Sequence, residues 1–333
     1  MSTNVTQRIA FVDALKAIAI ICVVAVHAVA QVRIGGQSRD VLIFIFGAIA
    51  VPLFFLVDGF LFSEKWTRRD DFDYQGYVRK GVSRLLVPWA AMTLVYAIIR
   101  LTLEALSLPR ENILLGNTLP DVLKVVYLSE LSQQMYFLLS LFVVRLTTIG
   151  IVRWLPGSKW LWLAVFVSYA IAYGLARPTQ WFFAGADPLL LAFWGLQFYL
   201  LGIVLQKWQE ILSVATLWWG PACLVLSFGI WSLTSTHVPV LSQLIYLLGT
   251  YATVGGIAER TSWGFSLGKD TMGIYLLHAP YVLWSATALV TLMLPAESVV
   301  KVLCVTSVAV FASWGLTNIV RRTPSGRVIL GNS

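Results

Sequence analysis

Long apolar stretches separated by short polar connections dominate the chain. A helix of about 20 apolar residues spans the hydrocarbon core of a bilayer at ~1.5 Å per residue. The stretches are continuous and do not alternate residue by residue, which excludes a membrane β-barrel. The pattern predicts an all-α, polytopic transmembrane helical bundle of about ten spans. These lie at 10–32, 41–63, 85–106, 131–151, 160–176, 188–206, 211–234, 240–258, 271–294 and 299–319.

Composition and charge agree with this class. Of the 333 residues, 58% are hydrophobic and 12% are charged, which would give a soluble domain a largely apolar surface. The net charge of +8 could indicate a nucleic-acid partner. Lys and Arg lie mostly in the short connections, however, where they indicate the orientation of the spans in the membrane and not binding of nucleic acid. They are more frequent on one side, and the positive-inside rule then predicts that both termini are cytoplasmic.

No convincing repeat, linker or appended soluble segment is visible, so we expect one integral-membrane domain over 1–333. The two halves do not mirror each other, which weakens the interpretation as an inverted-repeat transporter.

Ala28-Val-Ala30 resembles a signal-peptide cleavage site. A charged pair inside the apolar core is atypical of a signal peptide, however, and we expect the segment to be retained. Cys22, Cys223 and Cys304 lie in apolar runs without a pairing or metal spacing, so we expect thiols without chemistry.

Three ionisable residues lie inside the first apolar run, namely Asp13, Lys16 and His27. An ionisable side chain in hydrocarbon costs at least ~2.5 kcal/mol on insertion scales, so it normally faces a protein interior or a wet cavity. From Lys16 to His27 the helix returns to the same face within ~20°, about 16 Å further along its axis, and Asp13 lies one turn before Lys16. We therefore predict a polar stripe with His27 at one end and an ion pair at the other.

The second and ninth runs each combine an ionisable residue with a proline. In the second run we expect a kink at Pro52. Asp58 lies at a depth similar to that of Lys16, so we expect a Lys16–Asp58 contact that lowers the cost of both charges. In the ninth run His278 lies about 12 Å inside the membrane, and Pro280 breaks the helix just after it. Irregular helix beside an imidazole is typical of a cavity.

Four segments stand out in this order along the chain. They are Asp13-Ala-Leu-Lys16-Ala-Ile-Ala with His27, Val51-Pro-Leu-Phe-Phe-Leu-Val-Asp58-Gly-Phe-Leu, Arg79-Lys-Gly-Val-Ser-Arg84-Leu-Leu-Val-Pro88 and Gly273-Ile-Tyr-Leu-Leu-His278-Ala-Pro280. In sequence and order they resemble the acyltransferase 3 family of membrane O-acyltransferases. The resemblance covers nearly the whole chain and is greatest to bacterial enzymes that O-acetylate cell-envelope glycans.

The chain differs from the family pattern at three places. Lys16 stands where the family has an Arg ahead of the His needed for activity, and Asp58 stands where it has the Ser of Phe-Phe-x-x-Ser-Gly. Met135-Tyr136-Phe137 replaces a Trp-Phe or Trp-Tyr pair. We interpret the first two differences as linked, with a carboxylate replacing a hydroxyl in order to hold an ammonium that replaces a guanidinium.

The resemblance implies transfer of an acetyl or other acyl group from cytoplasmic acyl-CoA. The implied acceptor is a hydroxyl of an envelope carbohydrate or lipid-linked sugar, at the bacterial inner membrane. Attack of a hydroxyl on a thioester needs a base for the proton and a cation or donor near the oxyanion, and we choose His27 as the base. No motif for a metal cluster or a serine nucleophile is present.

The candidate site residues fall into three groups. The catalytic candidates are His27, Lys16, Asp13, Asp58 and His278; the candidates for the CoA phosphates are Arg79, Lys80 and Arg84; the candidates for the acceptor are Tyr136, Gln134 and Tyr275. The basic group is chosen because it is cationic and lies at the cytoplasmic mouth. For His278 we favour a supporting role over direct chemistry.

Structural alternatives stay open for these residues. His27 could bond a neighbouring helix, Lys16 could form an interfacial pair with Asp13, and the positive-inside rule accounts for basic residues in any membrane protein. The acceptor candidates could be ordinary interface residues. For the whole chain, the alternatives are a transporter or flippase of amphiphilic sugars, in which the polar stripe is a translocation path, and a catalytically inactive relative.

Overall fold

The computed structural model describes residues 2–67, 72–108, 112–154, 158–175, 187–208, 216–234, 240–258 and 266–331. These residues form helices and turns, with no strand among them. Within these ranges, seven helical segments are long and apolar enough to cross a membrane: Ala10–Val32, Gly36–Trp66, Tyr74–Ala105, Gln133–Arg153, Pro188–Lys207, Thr271–Met293 and Val299–Val320. Shorter apolar helices lie at Trp160–Ile171, Trp219–Leu233 and Leu241–Ile257. An all-α, multi-pass membrane protein is thereby confirmed, while ten spans and cytoplasmic termini stay predictions.

The described helices are numbered in chain order. They are α1 (Ser2–Val32), α2 (Gly36–Leu42), α3 (Ala50–Thr67), α4 (Tyr74–Gly81), α5 (Val87–Ala105), α6 (Leu119–Tyr127), α7 (Tyr136–Trp154), α8 (Ser158–Leu175), α9 (Pro188–Lys207), α10 (Thr216–Thr234), α11 (Val240–Ala258), α12 (Ser266–Lys269), α13 (Thr271–Leu277), α14 (Leu283–Met293), α15 (Val299–Val320) and α16 (Pro324–Ile329). π-Helical turns occupy Ile43–Gly47, Val82–Leu86 and His278–Val282. Such turns inside helices occur frequently at functional sites.

The first helix is enclosed by other helices. It packs against α3, α11, α12, α13, α14 and α15. Leu15, Ala19, Ile20, Val24 and Ala28 are each at most 1% exposed. These positions cover more than one face of the helix, which is typical of a helix buried in the centre of a bundle. Asp13, Lys16 and His27 therefore lie among protein neighbours.

Helices α3 and α9 approach each other backbone to backbone. A methyl group at Gly59 of α3 would lie 2.0 Å from the carbonyl oxygen of Tyr199. A methyl group at Gly202 of α9 would lie 2.0 Å from the carbonyl oxygen of Leu56. Small residues permit this close approach between membrane helices. The two glycines thus fix the register of α3 against α9, just beside Asp58.

The second apolar run is interrupted near Pro52, as predicted. It is divided into α2, a π-helical turn and α3. Pro52 lacks the N–H that would bond the carbonyl of Ala48, four residues earlier. The side-chain amide of Gln243 in α11 donates to that carbonyl instead, at 3.1 Å. A neighbouring helix therefore satisfies the backbone group that the proline leaves free.

Candidate active site

The structure brings two histidines from distant parts of the chain together. The ring centroids of His27 on α1 and His278 after α13 are 5.3 Å apart, with 48° between the ring planes. His278 is fully buried, whereas His27 is partly exposed. Both were candidates from the sequence, but nothing in their spacing along the chain indicated that they would be neighbours.

The hydrogen bonding of His278 defines the chemistry of its ring. Nδ1 lies 2.7 Å from the carbonyl oxygen of Tyr275. A carbonyl only accepts, so Nδ1 carries the hydrogen and donates it, and Nε2 of the neutral ring is unprotonated. Nε2 is buried and has no hydrogen-bond partner among the described residues. A buried nitrogen with a free lone pair is costly to keep, and such an atom is a candidate for a functional role.

The helix break after His278 is braced by a second group of side chains. Ala279 has an extended backbone, with φ −132° and ψ 154°, which confirms the predicted interruption near Pro280. The carbonyl oxygen of Ala279 accepts hydrogen bonds from Gln134 Nε2 at 2.5 Å and from Ser132 Oγ at 3.3 Å. The hydroxyl of Tyr96 lies 2.8 Å from the same oxygen and 2.6 Å from the Leu276 carbonyl. The segment before α7 and helix α5 thereby hold the break in place.

The three acceptor candidates lie around this braced segment. Tyr275 donates its hydroxyl to the backbone carbonyl of Gln134. The side-chain oxygen Oε1 of Gln134 is buried without a partner among the described residues. Tyr136 begins α7 and is partly exposed. Gln134 and Tyr275 thus brace the histidine segment, and contact of any of the three with an acceptor stays a prediction.

The N-terminal end of the predicted polar stripe contains an ion pair. Lys16 Nζ lies 3.7 Å from Asp13 Oδ1, one turn away on the same helix. Because α1 is continuous, Lys16 lies about 16 Å from His27 along the helix axis. The pair therefore lies too far along α1 to contact the same atoms as the two imidazoles.

The predicted contact between Lys16 and Asp58 is wrong. Asp58 instead accepts two parallel hydrogen bonds from Arg145 of α7, Nε to Oδ2 at 2.7 Å and Nη2 to Oδ1 at 2.5 Å. The forked guanidinium matches both carboxylate oxygens, which the single ammonium of Lys16 does not. The proposed compensation between Lys16 and Asp58 is therefore also wrong.

Arg145 was not among the candidate residues from the sequence, although it lies inside the predicted run 131–151. It lies within the apolar segment Gln133–Arg153 and is largely buried, with 15% of its side chain exposed. The guanidinium carbon lies 5.5 Å from the ring centre of Tyr77, whose hydroxyl is 2.9 Å from that of Tyr199. An arginine inside an apolar run, with an aspartate inside another run, was the signal that could have identified the pair.

The basic candidates for the donor phosphates lie on other helical elements than the two histidines. Arg79 and Lys80 end α4, and Arg84 lies in the π-helical turn that follows. All three side chains are exposed. Asp73 caps the start of α4 by accepting a hydrogen bond from the Gly76 backbone at 2.8 Å. Binding of phosphates by this group stays a prediction.

The geometry describes a multi-pass helical protein with two adjacent imidazoles at a braced helix break. No group of three or more His, Cys, Asp or Glu side chains suited to a metal ion occurs among the described residues. A family model for an acyltransferase domain, that of acyltransferase 3, matches residues 9–318. The match covers nearly the whole chain, and the chain belongs to the acyltransferase 3 family. Comparisons with curated proteins and with solved structures gave no match.

Proposed function

We propose that this protein is an O-acetyltransferase of the bacterial inner membrane. It moves an acetyl group from cytoplasmic acetyl-CoA to a hydroxyl of a cell-envelope carbohydrate or lipid-linked sugar. Membership of the acyltransferase 3 family supports transfer of an acyl group. The observation that carries the proposal is the His27–His278 pair, because two imidazoles side by side at a braced helix break are suited to take up and return a proton.

The reaction assigns a separate role to each imidazole. The acceptor hydroxyl oxygen bonds to the thioester carbonyl carbon, and the carbon–sulfur bond breaks. His27, the more exposed of the two, takes the hydroxyl proton and returns it to the sulfur of the leaving CoA. His278 supports His27 through contact of the two rings, whose centroids are 5.3 Å apart, while its own Nδ1 is held by the Tyr275 carbonyl. Proton transfer of this kind contributes typically 10²–10⁴-fold to a rate.

The Lys16–Asp13 pair has a different role in this proposal. At about 16 Å from His27 along α1, the ammonium lies away from the reacting carbonyl. In the proposed reaction it contacts a polar part of the donor nearer the cytoplasmic end of α1. The Asp58–Arg145 pair joins α3 to α7, and a catalytic role of Asp58 stays a prediction.

Transfer of label from acetyl-CoA to envelope glycan tests the proposal. Membranes that contain the wild-type protein should label the glycan, and His27→Ala should reduce the rate at least 100-fold. His237→Ala is the matched control, because His237 lies in a connection between predicted spans, outside the described residues, and should retain activity. Movement of a sugar across the membrane without labelling would favour the transporter and overturn the proposal.

A further inference from the structure

A basic cleft lies at the ends of helices α12 and α15. Its volume is ≈ 520 Å³, and its lining residues are Lys269, Asn318, Arg321, Arg322 and Arg327. Four of these five residues are cations at neutral pH. None of them belongs to the basic group that the sequence indicated for the donor phosphates.

One carboxylate anchors the cleft but does not neutralise it. Arg321 Nη1 donates to Oδ1 of the buried Asp270, whose Oδ2 accepts from Trp314 Nε1 at 2.8 Å. Arg321 Nε is buried without a hydrogen-bond partner among the described residues. The cations of Lys269 and Arg322 are exposed, and no ion pair within the described ranges joins them to a carboxylate. The cleft therefore keeps an excess of positive charge, which a bound anion would neutralise.

The segment that carries Arg327 is held firmly against the bundle. Thr323 caps α16 by accepting a hydrogen bond from the Gly326 backbone at 3.0 Å. Leu330, just after α16, is 1% exposed. Arg327 Nε donates to the Arg321 carbonyl at 3.2 Å, which ties the two sides of the turn together. The positive-inside rule accounts for basic residues after a membrane helix, but it does not require that they line one concave site.

The cleft is connected to the candidate active site through two helices. A methyl group at Gly268 would lie 2.1 Å from the Asp13 carbonyl oxygen, so α12 packs directly on the polar end of α1. Helix α13 then leads from the cleft to His278, and the nine residues from Lys269 to His278 span roughly 13 Å in helical geometry. A ligand held by phosphates in the cleft could therefore extend toward the imidazoles.

We propose that Lys269, Arg321, Arg322 and Arg327 form a binding site for a ligand with phosphate groups. Arginine binds phosphate oxygens through charge-assisted, often bidentate hydrogen bonds, and lysine adds a point charge. Two sources supply this chemistry, the nucleotide phosphates of the acyl donor and the headgroup of an anionic phospholipid. The first source rests on the proposed function, and binding in the cleft does not.

The test compares binding by variants of the full-length protein purified in neutral detergent. The double variant Arg322→Gln with Arg327→Gln removes two exposed charges and leaves the Arg321–Asp270 pair intact. Arg153→Gln is the matched control, since Arg153 is also exposed at the end of an apolar helix but lies outside the cleft. Calorimetry measures the affinity for CoA and for adenosine 3′,5′-bisphosphate. Lipid binding is compared between nanodiscs that contain phosphatidylglycerol, which is anionic, and nanodiscs that contain phosphatidylcholine, which is zwitterionic.

We expect the double variant to lose tenfold or more in affinity for one phosphate ligand, while the control changes less than twofold. Loss toward CoA and the bisphosphate identifies a nucleotide site, and loss toward phosphatidylglycerol alone identifies a lipid site. Unchanged affinity for CoA, for the bisphosphate and for phosphatidylglycerol overturns the proposal. Lys269→Gln, changed separately, should give a smaller loss toward the same probe.

Failure of this proposal and failure of the proposed function give different results. If the wild-type protein binds the phosphate probes through the cleft but transfers no acetyl group, only the proposed function is overturned. If the double variant transfers acetyl groups with an unchanged KM for acetyl-CoA and binds every probe normally, only the cleft proposal is overturned.

Discussion

Arg145 of α7 holds Asp58 of α3 through two parallel hydrogen bonds, at 2.7 and 2.5 Å. Neither side chain is more than 16% exposed. Asp58→Asn leaves the guanidinium without a counter-charge, and we expect a loss of about 3 kcal/mol in the free energy of unfolding. Thermal unfolding in detergent, followed by tryptophan fluorescence, measures this loss.

A double-mutant cycle separates this pair from the one expected from the sequence. Asp58→Asn with Arg145→Gln should show a coupling energy above about 1 kcal/mol, because the two side chains are in direct contact. Asp58→Asn with Lys16→Gln should be additive within ~0.5 kcal/mol. A coupling of Asp58 to Lys16 as large as its coupling to Arg145 would contradict the structure.

The role of His278 Nε2 is tested by a substitution that keeps the hydrogen bond made by Nδ1 and removes Nε2. In His278→Asn the side-chain amide can still donate to the Tyr275 carbonyl, as Nδ1 does, but no counterpart of Nε2 remains. We expect transfer to fall by about 100-fold, because His27 loses the ring that packs against it, with the melting temperature nearly unchanged. Activity within a few-fold of wild type would show that Nε2 has no part in the reaction.

The close approach of α3 and α9 predicts a strong response to one methyl group. Gly59→Ala would place that group 2.0 Å from the Tyr199 carbonyl oxygen, and the helices must move apart to accept it. We expect a loss of about 2 kcal/mol, typical of an overpacked interior. Gly229→Ala is the matched control, because a methyl group at this position of α10 meets no atom within 4 Å. The control should be neutral or more stable by up to about 1 kcal/mol.

The hydroxyl of Tyr96 braces the helix break beside His278. Tyr96→Phe removes the donor that lies 2.6 Å from the Leu276 carbonyl, and Gln134 still donates to the Ala279 carbonyl. We expect a loss of about 1 kcal/mol and a fall in kcat of less than tenfold. Tyr127→Phe is the control: its hydroxyl also donates, to Asp187, but the side chain is 38% exposed and a smaller loss is expected. A larger loss in the control would argue against the bracing role.

The sequence was sufficient for the fold class and for the helix breaks. Continuous apolar runs predicted membrane helices, and the covalent restrictions of proline predicted irregularities near Pro52 and Pro280, all of which are local properties. The candidate histidines could also be identified locally, because ionisable groups inside apolar runs are rare.

The partners of these residues could not be predicted in the same way. Asp58 and Lys16 have similar expected depths, yet the rotation of α3 about its axis directs the carboxylate to Arg145. That rotation depends on the contact of Gly59 with α9, which a periodic pattern does not encode. The neighbourhood of His27 and His278 likewise depends on how α13 packs against the enclosed first helix.

The reciprocal fit of Gly59 and Gly202 limits how this protein can change shape. Sliding one of these helices along the other would drive a backbone carbonyl into the opposing chain, so α3 and α9 move as one rigid body. Spin labels placed on the two helices should report the same separation with and without substrate. Rearrangements that admit a substrate must then be carried by other, less tightly interlocked parts of the bundle.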